Sequence, residues 1–419
     1  MSLGSFAKRL IHPELKKLVC LYQKAEAMSE EEIATYQLEK LQAQVRSFYD
    51  RFAFYRSACA AVGVTPDDIR SVSDLSRLPI MDKVILRENE AAIRAASPKA
   101  VRRSTSGSTG VNFHFYLDEG ARSAHSAFAE YYGKRLGIRK GKTIGIWGGN
   151  LKKPEDNGFV QKLKSFLLNL TLLPGYGMDE ACALEYLAFI KNERPSFVYG
   201  YPSYLAFLAR AGKKHSAPVP QGFVLVASGE QMSPQDREII EEYFGTPVYN
   251  RYGSCEFSTI AHELPGTDGF YVNPLQFLLE VNEQDELIVT DLCNFATPFV
   301  RYNIGDRAAL SCENGRRFIT RLYGRCNDVI FTPSGKMIPS QFWTILSRMC
   351  EEVESFQVVQ KGETELVMRV KSLKEFDATP ILSNFEKNFG DEMRLSVTRD
   401  EAFETTKMGK HKFVIRLEK

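Results

Sequence analysis

Apolar residues in the first hundred positions recur at helical intervals. After Ser29-Glu30-Glu31-Glu32, whose acidic side chains suit the positive end of a helix dipole, Ile33, Tyr36, Leu38, Leu41, Val45 and Phe48 follow at near-helical spacing. This predicts a helical stretch to about residue 95 and a further helix over 121–136. Beyond it, short continuous apolar runs alternate with helical segments. The runs 143–147, 196–200, 222–227 and 247–249 read as strands, with helices over 203–211 and 234–244 between them. Continuous apolar strands separated by helices imply a largely parallel sheet covered on both faces. After about residue 270 the pattern changes. Segments 277–281 and 286–290, joined by Asn282-Glu283-Gln284-Asp285, read as an antiparallel hairpin, and 355–359 with 365–370 as another, with Lys361-Gly362 in the turn. A boundary near Gly324-Arg325 divides a large multilayered N-terminal α/β domain with a mainly parallel sheet, 1–324, from a small α+β domain, 325–419.

Composition narrows the classes. At 419 residues the chain exceeds what one hydrophobic core usually serves, and 44% hydrophobic with 25% charged residues is the make-up of an ordinary globular protein. The 54 basic and 52 acidic side chains nearly cancel, and no basic tract of the kind that binds nucleic acid stands out. The most apolar window, around Phe166-Leu167-Leu168 to Leu173, is too short to span a bilayer, so no membrane insertion is expected. Eight cysteines are scattered without a CxxC pair, and with no export signal they read as reduced thiols of a cytoplasmic protein.

Candidate chemistry is concentrated in a few segments. Ser104-Thr105-Ser106-Gly107-Ser108-Thr109-Gly110 is an unbroken run of glycines and small hydroxyls. Such a run has nothing to bury, and it reads either as a linker or as a loop whose N–H and O–H donors wrap a polyphosphate. It lacks the lysine of a Walker loop. Ligands of α/β sheets collect beyond the carboxyl ends of strands. There stand Ser228-Gly229-Glu230, then Tyr252-Gly253-Ser254-Cys255-Glu256, in which Tyr252 offers a stacking face and Glu256 a hard oxygen for Mg²⁺. Each reads equally as a turn. Asp306 follows Ile304-Gly305 and suits either the hydroxyls of a ribose or an Asx-turn. Trp147, Tyr199, Tyr201 and Phe223 lie at or near strand ends and read as core packing or as the lining of a pocket for an aromatic or compact acid. His262, Cys255, Cys293 and Cys312 lack the tight pairs of a structural zinc site, and Cys255 reads as a small buried residue or a reactive thiol.

Taken in order, these residues resemble the adenylate-forming superfamily of acyl-CoA synthetases, adenylation domains and luciferases, and specifically its phenylacetate–CoA ligase branch with capsule-biosynthesis relatives. Phe54-Tyr55-Arg56, Asp74-Leu75, Leu78-Pro79 and Lys83 resemble that branch's N-terminal region, and Arg194-Pro195-Ser196 through Gly200-Tyr201-Pro202-Ser203-Tyr204 its central segment. The resemblance covers nearly the whole chain. It implies that Ser104 to Gly110 hold the ATP phosphates and that Ser228, Gly229, Glu230, Gly253 and Ser254 line the nucleotide. Tyr252 would lie on the purine face, Glu256 on Mg²⁺, and Asp306 and Arg325 on the ribose. Lys410 would bridge carboxylate and α-phosphate. The small domain would be mobile about a hinge at Asn327 and would bring up the loop Ser334-Gly335-Lys336-Met337-Ile338-Pro339 for the second step. Three features depart from the family: the hinge asparagine, the lead-in to Lys410, and the segment 148–154 after Trp147.

The implied activity is ATP-dependent conversion of a carboxylic acid to acyl-AMP with release of pyrophosphate, then transfer to a thiol, with CoA as the expected acceptor. No nucleophilic side chain is needed, in keeping with the lack of a Ser-His-Asp arrangement. Transfer to an amine, in polysaccharide or natural-product biosynthesis, is the alternative within the same chemistry. A non-catalytic nucleotide-binding protein is the alternative outside it.

Overall fold

The computed structural model describes residues 14–105, 113–147, 159–175, 178–325, 330–334, 337–338, 340–347, 349–350, 352–372, 374–399, 403–404 and 413–415. The chain divides into two compact units, Met1–Ile304 with Ala309–Arg321, and Gly305–Ala308 with Leu322–Lys419. Among the described residues no helix is long and apolar enough to cross a membrane.

The first unit opens with helices, as the periodicity predicts. Helix Glu30–Arg51 starts at Ser29, whose hydroxyl accepts from the Glu32 N–H while the Glu32 carboxylate accepts from the Ser29 N–H, a reciprocal capping box. Ile33, Leu41, Val45 and Phe48 are buried. So are Gln37 and Gln44, which apolar spacing alone does not reveal. Gln37 donates to the Pro274 carbonyl at 2.8 Å, and Gln44 to the carbonyls of Asp291 at 2.6 Å and Asn294 at 2.8 Å. These buried amides tie the helix to distant loops in the only way open to them, by satisfying backbone groups that water cannot reach.

Strands β1 (Val101–Thr105) and β2 (Phe113–Leu117) form an antiparallel hairpin that pairs Ser104 with His114 and Thr105 with Phe113. The main sheet carries β3 (Thr143–Trp147), β4 (Leu170–Pro174), β5 (Phe197–Gly200), β6 (Val224–Ser228), β7 (Val248–Ser254), β8 (Ser258–Glu263), β9 (Phe270–Val272), β10 (Phe277–Val281), β11 (Glu286–Asp291), β12 (Tyr302–Glu313) and β13 (Arg316–Arg325). Among the described residues it is 11-stranded, in the order β10-β11-β12-β13-β9-β8-β7-β6-β5-β3-β4. From β4 to β7 neighbouring strands run parallel. From β7 to β8, β8 to β9 and β9 to β13 they run antiparallel. The sheet is therefore mixed rather than mainly parallel. The reason is connection length: helices cross over between β5, β6 and β7, whereas β7, β8 and β9 are joined by turns too short for a crossover.

One core cluster unites Ile144, Ile146, Val198, Leu225 and Val248 with the helices Glu180–Glu193, Pro202–Lys214 and Pro234–Phe244. A second packs helices Leu15–Lys24 and Glu119–Arg135 against Val226, Tyr199 and Tyr249. In the second unit, β14 (Val353–Gln360) and β15 (Glu365–Ser372) form the expected antiparallel hairpin. Among the described residues they lie in a four-stranded sheet whose core includes Val358, Met368, Trp343 and Phe385, the last two rings stacked with centroids 5.7 Å apart.

His262 on β8 is fully buried, its ring 3.6 Å from that of Tyr132 and 5.1 Å from that of Phe128, with neither ring nitrogen hydrogen-bonded among the described residues. Burial holds its pKa well below the ordinary histidine value. Below about pH 6.5 the unfolded chain takes up a proton there that the folded chain does not, so folding stability falls as the pH drops, by at most about 1.4 kcal/mol per pH unit. His262→Phe should flatten the fall in urea midpoint between pH 7 and pH 5. Identical pH profiles for the two proteins would refute this assignment.

Candidate functional site

The carboxyl ends of β6 and β7 bring the two central motifs side by side. Ser228 on β6 pairs with Arg251 on β7, and its hydroxyl donates to the Arg251 carbonyl at 3.0 Å. Gly229 follows with φ +86°, and a Cβ there would sit 2.8 Å from the Tyr201 ring, so the close approach requires glycine. The Glu230 carboxylate accepts from the Ser203 hydroxyl at 2.6 Å, linking this turn to the segment after β5.

Strand β7 ends in a tight turn, Cys255 to Phe257, that leads straight back into β8. Pairing shifts by a bulge between Tyr252 and Gly253. Tyr252 and Ser254 are half-buried, and the Ser254 hydroxyl accepts from the Phe257 N–H at 3.4 Å. Cys255 is exposed rather than the small buried residue that was one of its two expected roles, because the turn points it outward while its neighbours pack inward.

Glu256 is the chemically loaded member of the turn. It is only 2% exposed, yet its carboxylate meets two partners among the described residues: the Tyr302 hydroxyl at 3.4 Å and the Lys83 ammonium at 3.7 Å. Both contacts are long for charge-assisted bonds. Lys83, at the start of helix Lys83–Glu88, stood in the sequence only as a point of family likeness. Its position is set by Met81, which bridges to Tyr302 and exchanges backbone hydrogen bonds with Arg301 and Asn303 at 3.0 and 2.8 Å. No signal within the 83–88 segment itself announces the contact, which spans more than 170 positions.

Beneath Glu256 lies an aromatic cluster. Phe257 meets Phe299 at 5.0 Å, Tyr302 at 5.8 Å and Phe277 at 5.9 Å between ring centroids. Phe113, at the start of β2, stacks on Tyr302 at 6.4 Å, and Phe115 meets Phe299 at 6.0 Å. Ser104 and Thr105, which pair with β2, are thus tied through it to the same platform as Glu256. These first members of the hydroxyl-rich segment are strand residues of β1, with Ser104 exposed, and Ser106 to Gly110 lie outside the described residues.

The expected pocket residues assemble only in part. Trp147 lies 5.9 Å from Tyr199 and 4.3 Å from Tyr201, ring to ring, and Tyr201 stacks on Tyr204 at 5.3 Å. Phe223 does not join them. It sits just before β6, at the amino end of its strand, and packs edge-on against Phe244 in the other core cluster. Clefts form at carboxyl ends, so its place at a strand end pointed to the wrong end. Asp306 lies on β12 just after Gly305, whose φ of +81° bends the strand there. Arg325 is the last residue of β13, with its side chain outside the description, and Asn327 and Lys410 also lie outside it. Of the zinc candidates, His262 is enclosed by aromatic rings, and no group of three or more potential metal ligands occurs among the described residues.

Gly253 is the packing constraint of the turn. A Cβ there would lie 1.8 Å from the Ser258 carbonyl oxygen and 3.1 Å from the Thr259 Cα, both backbone atoms that cannot swing aside. Gly253→Ala should destabilise the protein by about 1–3 kcal/mol, read as a lower melting temperature. An unchanged melting temperature would show that the turn yields.

No protein-family profile matches the chain. A phenylacetate–coenzyme A ligase of Thermus thermophilus is 26% identical over 379 residues, covering 83% of this chain and 82% of that protein. The protein CapK of Staphylococcus aureus is 24% identical over 369 residues, covering 82% and 81%. Among solved structures, 2-hydroxyisobutyryl-CoA ligase in its postadenylation state, in complex with R3-HIB-AMP, superposes with a TM-score of 0.73 at 20% identity, covering 93% of this chain and 90% of that one. The chain thus shares the fold of 2-hydroxyisobutyryl-CoA ligase and, over most of its length, is similar in sequence to phenylacetate–coenzyme A ligases and to CapK.

Proposed function

We propose that this protein activates a carboxylic acid as its acyl-AMP and passes the acyl group to the thiol of CoA. The observation that carries the reading is Glu256, a buried carboxylate at the carboxyl edge of the sheet, anchored on the same aromatic platform as the hydroxyl-rich hairpin. Burying a carboxylate costs several kcal/mol unless it is well partnered. Its two contacts, at 3.4 and 3.7 Å, with Lys83 about two-fifths exposed, compensate that cost incompletely. A hard cation suits such an oxygen, and Mg²⁺ is commonly held by one or two carboxylates with substrate phosphates completing its shell. Mg²⁺ bound there would neutralise charge on the phosphates.

In this reading the hydroxyl and amide donors of Ser104 to Gly110 hold the β- and γ-phosphates. Tyr252 packs on the purine, beside the narrow backbone of Ser228, Gly229 and Glu230, with Gly253 and Ser254 completing the wall. Asp306 and Arg325 hold the ribose. A carboxylate oxygen of the acid attacks the α-phosphorus, an O–P bond forms, and pyrophosphate leaves with the electrons of the broken P–O bond. Lys410 neutralises the two anions as they meet. The thiolate of CoA then attacks the acyl carbon, a thioester forms and AMP departs. Between the steps the C-terminal domain turns about Asn327 and withdraws Lys410.

ATP–pyrophosphate exchange across a panel of aryl and short carboxylic acids tests the first step, and at least one acid should support exchange. If none exceeds background, the adenylation reading fails and a nucleotide-binding protein without this activity is left. Coupled assays with CoA, amino sugars and amino acids then identify the acceptor; thioester formation is expected, and amide formation alone would replace CoA by an amine.

Lys410 separates the half-reactions. Lys410→Ala should slow acyl-AMP formation by roughly 10²–10³-fold, comparable to losing one preorganised donor. Transfer from supplied acyl-AMP should be nearly intact. Single-turnover measurement of each step decides the matter, since equal losses in both would exclude this role.

A further inference from the structure

Arg251 has no carboxylate paired with it among the described residues. It stands on β7 beside Ser228 of β6, with its side chain toward the helix Glu119–Arg135. Its Nε donates to the Ser228 hydroxyl at 3.3 Å, and its guanidinium carbon lies 5.8 Å from the centre of the Tyr199 ring. Among the described residues the guanidinium makes no other hydrogen bond and no ion pair. The neighbouring carboxylates are already engaged. Glu263 is gripped by both oxygens to Arg237, at 2.7 and 2.8 Å, and Glu230 accepts from Ser203.

A second polar group in the same place is also unspent. The Tyr132 hydroxyl is buried without a hydrogen-bond partner among the described residues, and the Tyr132 ring lies 3.6 Å from that of His262, the residue paired with Arg251 across β7 and β8. Both groups are donors. Arg251 as a residue is half-buried, and burial among its neighbours pushes its pKa below the usual arginine value. Tyr199 connects this spot to the expected acyl pocket, since its ring also meets Trp147, which in turn meets Tyr201.

We infer that Arg251, with the Tyr132 hydroxyl, forms the recognition end of the acyl pocket and selects a carboxylic acid that carries a second carboxylate. The inference rests on the acyl-AMP reading and adds to it the class of acid. An apolar wall of Trp147, Tyr199 and Tyr201 alone would favour neutral aryl or compact acids. A cation held within that wall reverses the preference, because a neutral acid would leave the guanidinium dry and unpaired while a second carboxylate would accept from both donors. Rejection of analogues lacking a hydrogen-bonding group is the strong form of specificity, since it leaves the site's own polar groups unpaired.

The test uses matched acids in ATP–pyrophosphate exchange with the full-length protein: benzoate against the three benzenedicarboxylates, and hexanoate against adipate. Wild type should favour at least one dicarboxylate over its monocarboxylate in kcat/KM. In Arg251→Met that ratio should fall by about 10–100-fold, the equivalent of one charge-assisted hydrogen bond. Arg251→Lys should retain part of it. Exchange with monocarboxylates only, or a ratio that Arg251→Met leaves unchanged, overturns the inference while adenylation stands. Parallel losses for both acids of a pair in Arg251→Met and Arg251→Lys assign the residue to structure and also overturn it. Absence of exchange with every acid defeats the adenylation reading beneath it.

Discussion

The geometry of the first unit depends on one aromatic cluster. Phe113, Phe115, Phe257, Phe277, Phe299 and Tyr302 are all buried, and they come from four local contexts: a hairpin strand, a turn, sheet strands and the segment after β11. Each ring withdraws roughly 150–250 Å² from water, and edge-on contacts add about 0.5–1.5 kcal/mol apiece. Their packing leaves little room for sliding, because interiors at this density deform by jumps rather than by degrees. Whatever sits on the cluster is therefore placed to within a small tolerance. Glu256 sits on it through Phe257, and the hydroxyl-rich hairpin through Phe113 and Phe115.

Polar contacts then fix what packing leaves loose. The segment following β11 has little regular structure, yet it is pinned at several points. Asn294 donates to the Tyr116 carbonyl at 3.1 Å, Thr297 exchanges hydrogen bonds with the Tyr116 backbone at 2.9 Å both ways, and Gln44 reaches the Asp291 and Asn294 carbonyls. These groups are buried, so each bond is worth most through the penalty its absence would incur. The result is a rigid mount for β2 and, through it, for the base of the hydroxyl-rich loop.

What the sequence made legible follows from the range of the interactions involved. The capping box at Ser29, the helix over 234–244 and the hairpin joined at residues 282–285 rest on neighbours a few positions apart, and spacing alone reveals them. β1 escapes such reading, because Val101–Thr105 is a polar edge whose strand character comes from pairing with Phe113–Leu117. The pairing of β9 with β13 escapes it too, since those two strands meet in space but are far apart in sequence. Among site residues, Gly229 and Glu256 could be singled out by motif, whereas Lys83 and Tyr302 became partners of Glu256 only through the fold. Phe223 marks the complementary failure. An aromatic beside a strand does not say which end of the strand it occupies, and that end decides between core and cleft.

The change of strand direction at β7 explains why the two candidate motifs lie side by side. On one side β7 runs parallel to β6, and parallel neighbours must be joined by crossovers that leave their carboxyl ends open. On the other side β7 turns back at once into antiparallel β8, so its last residues form a tight turn instead of feeding a helix. The turn leaves Cys255 exposed and Glu256 buried on the aromatic cluster. An all-parallel sheet would carry a helix at that position and leave a helix N-terminus, not a side-chain carboxylate, beside the motif of β6. The antiparallel half of the sheet thus does more than extend it. It converts the end of a strand into a turn that holds one buried carboxylate, just beyond the bulge at Tyr252 and Gly253.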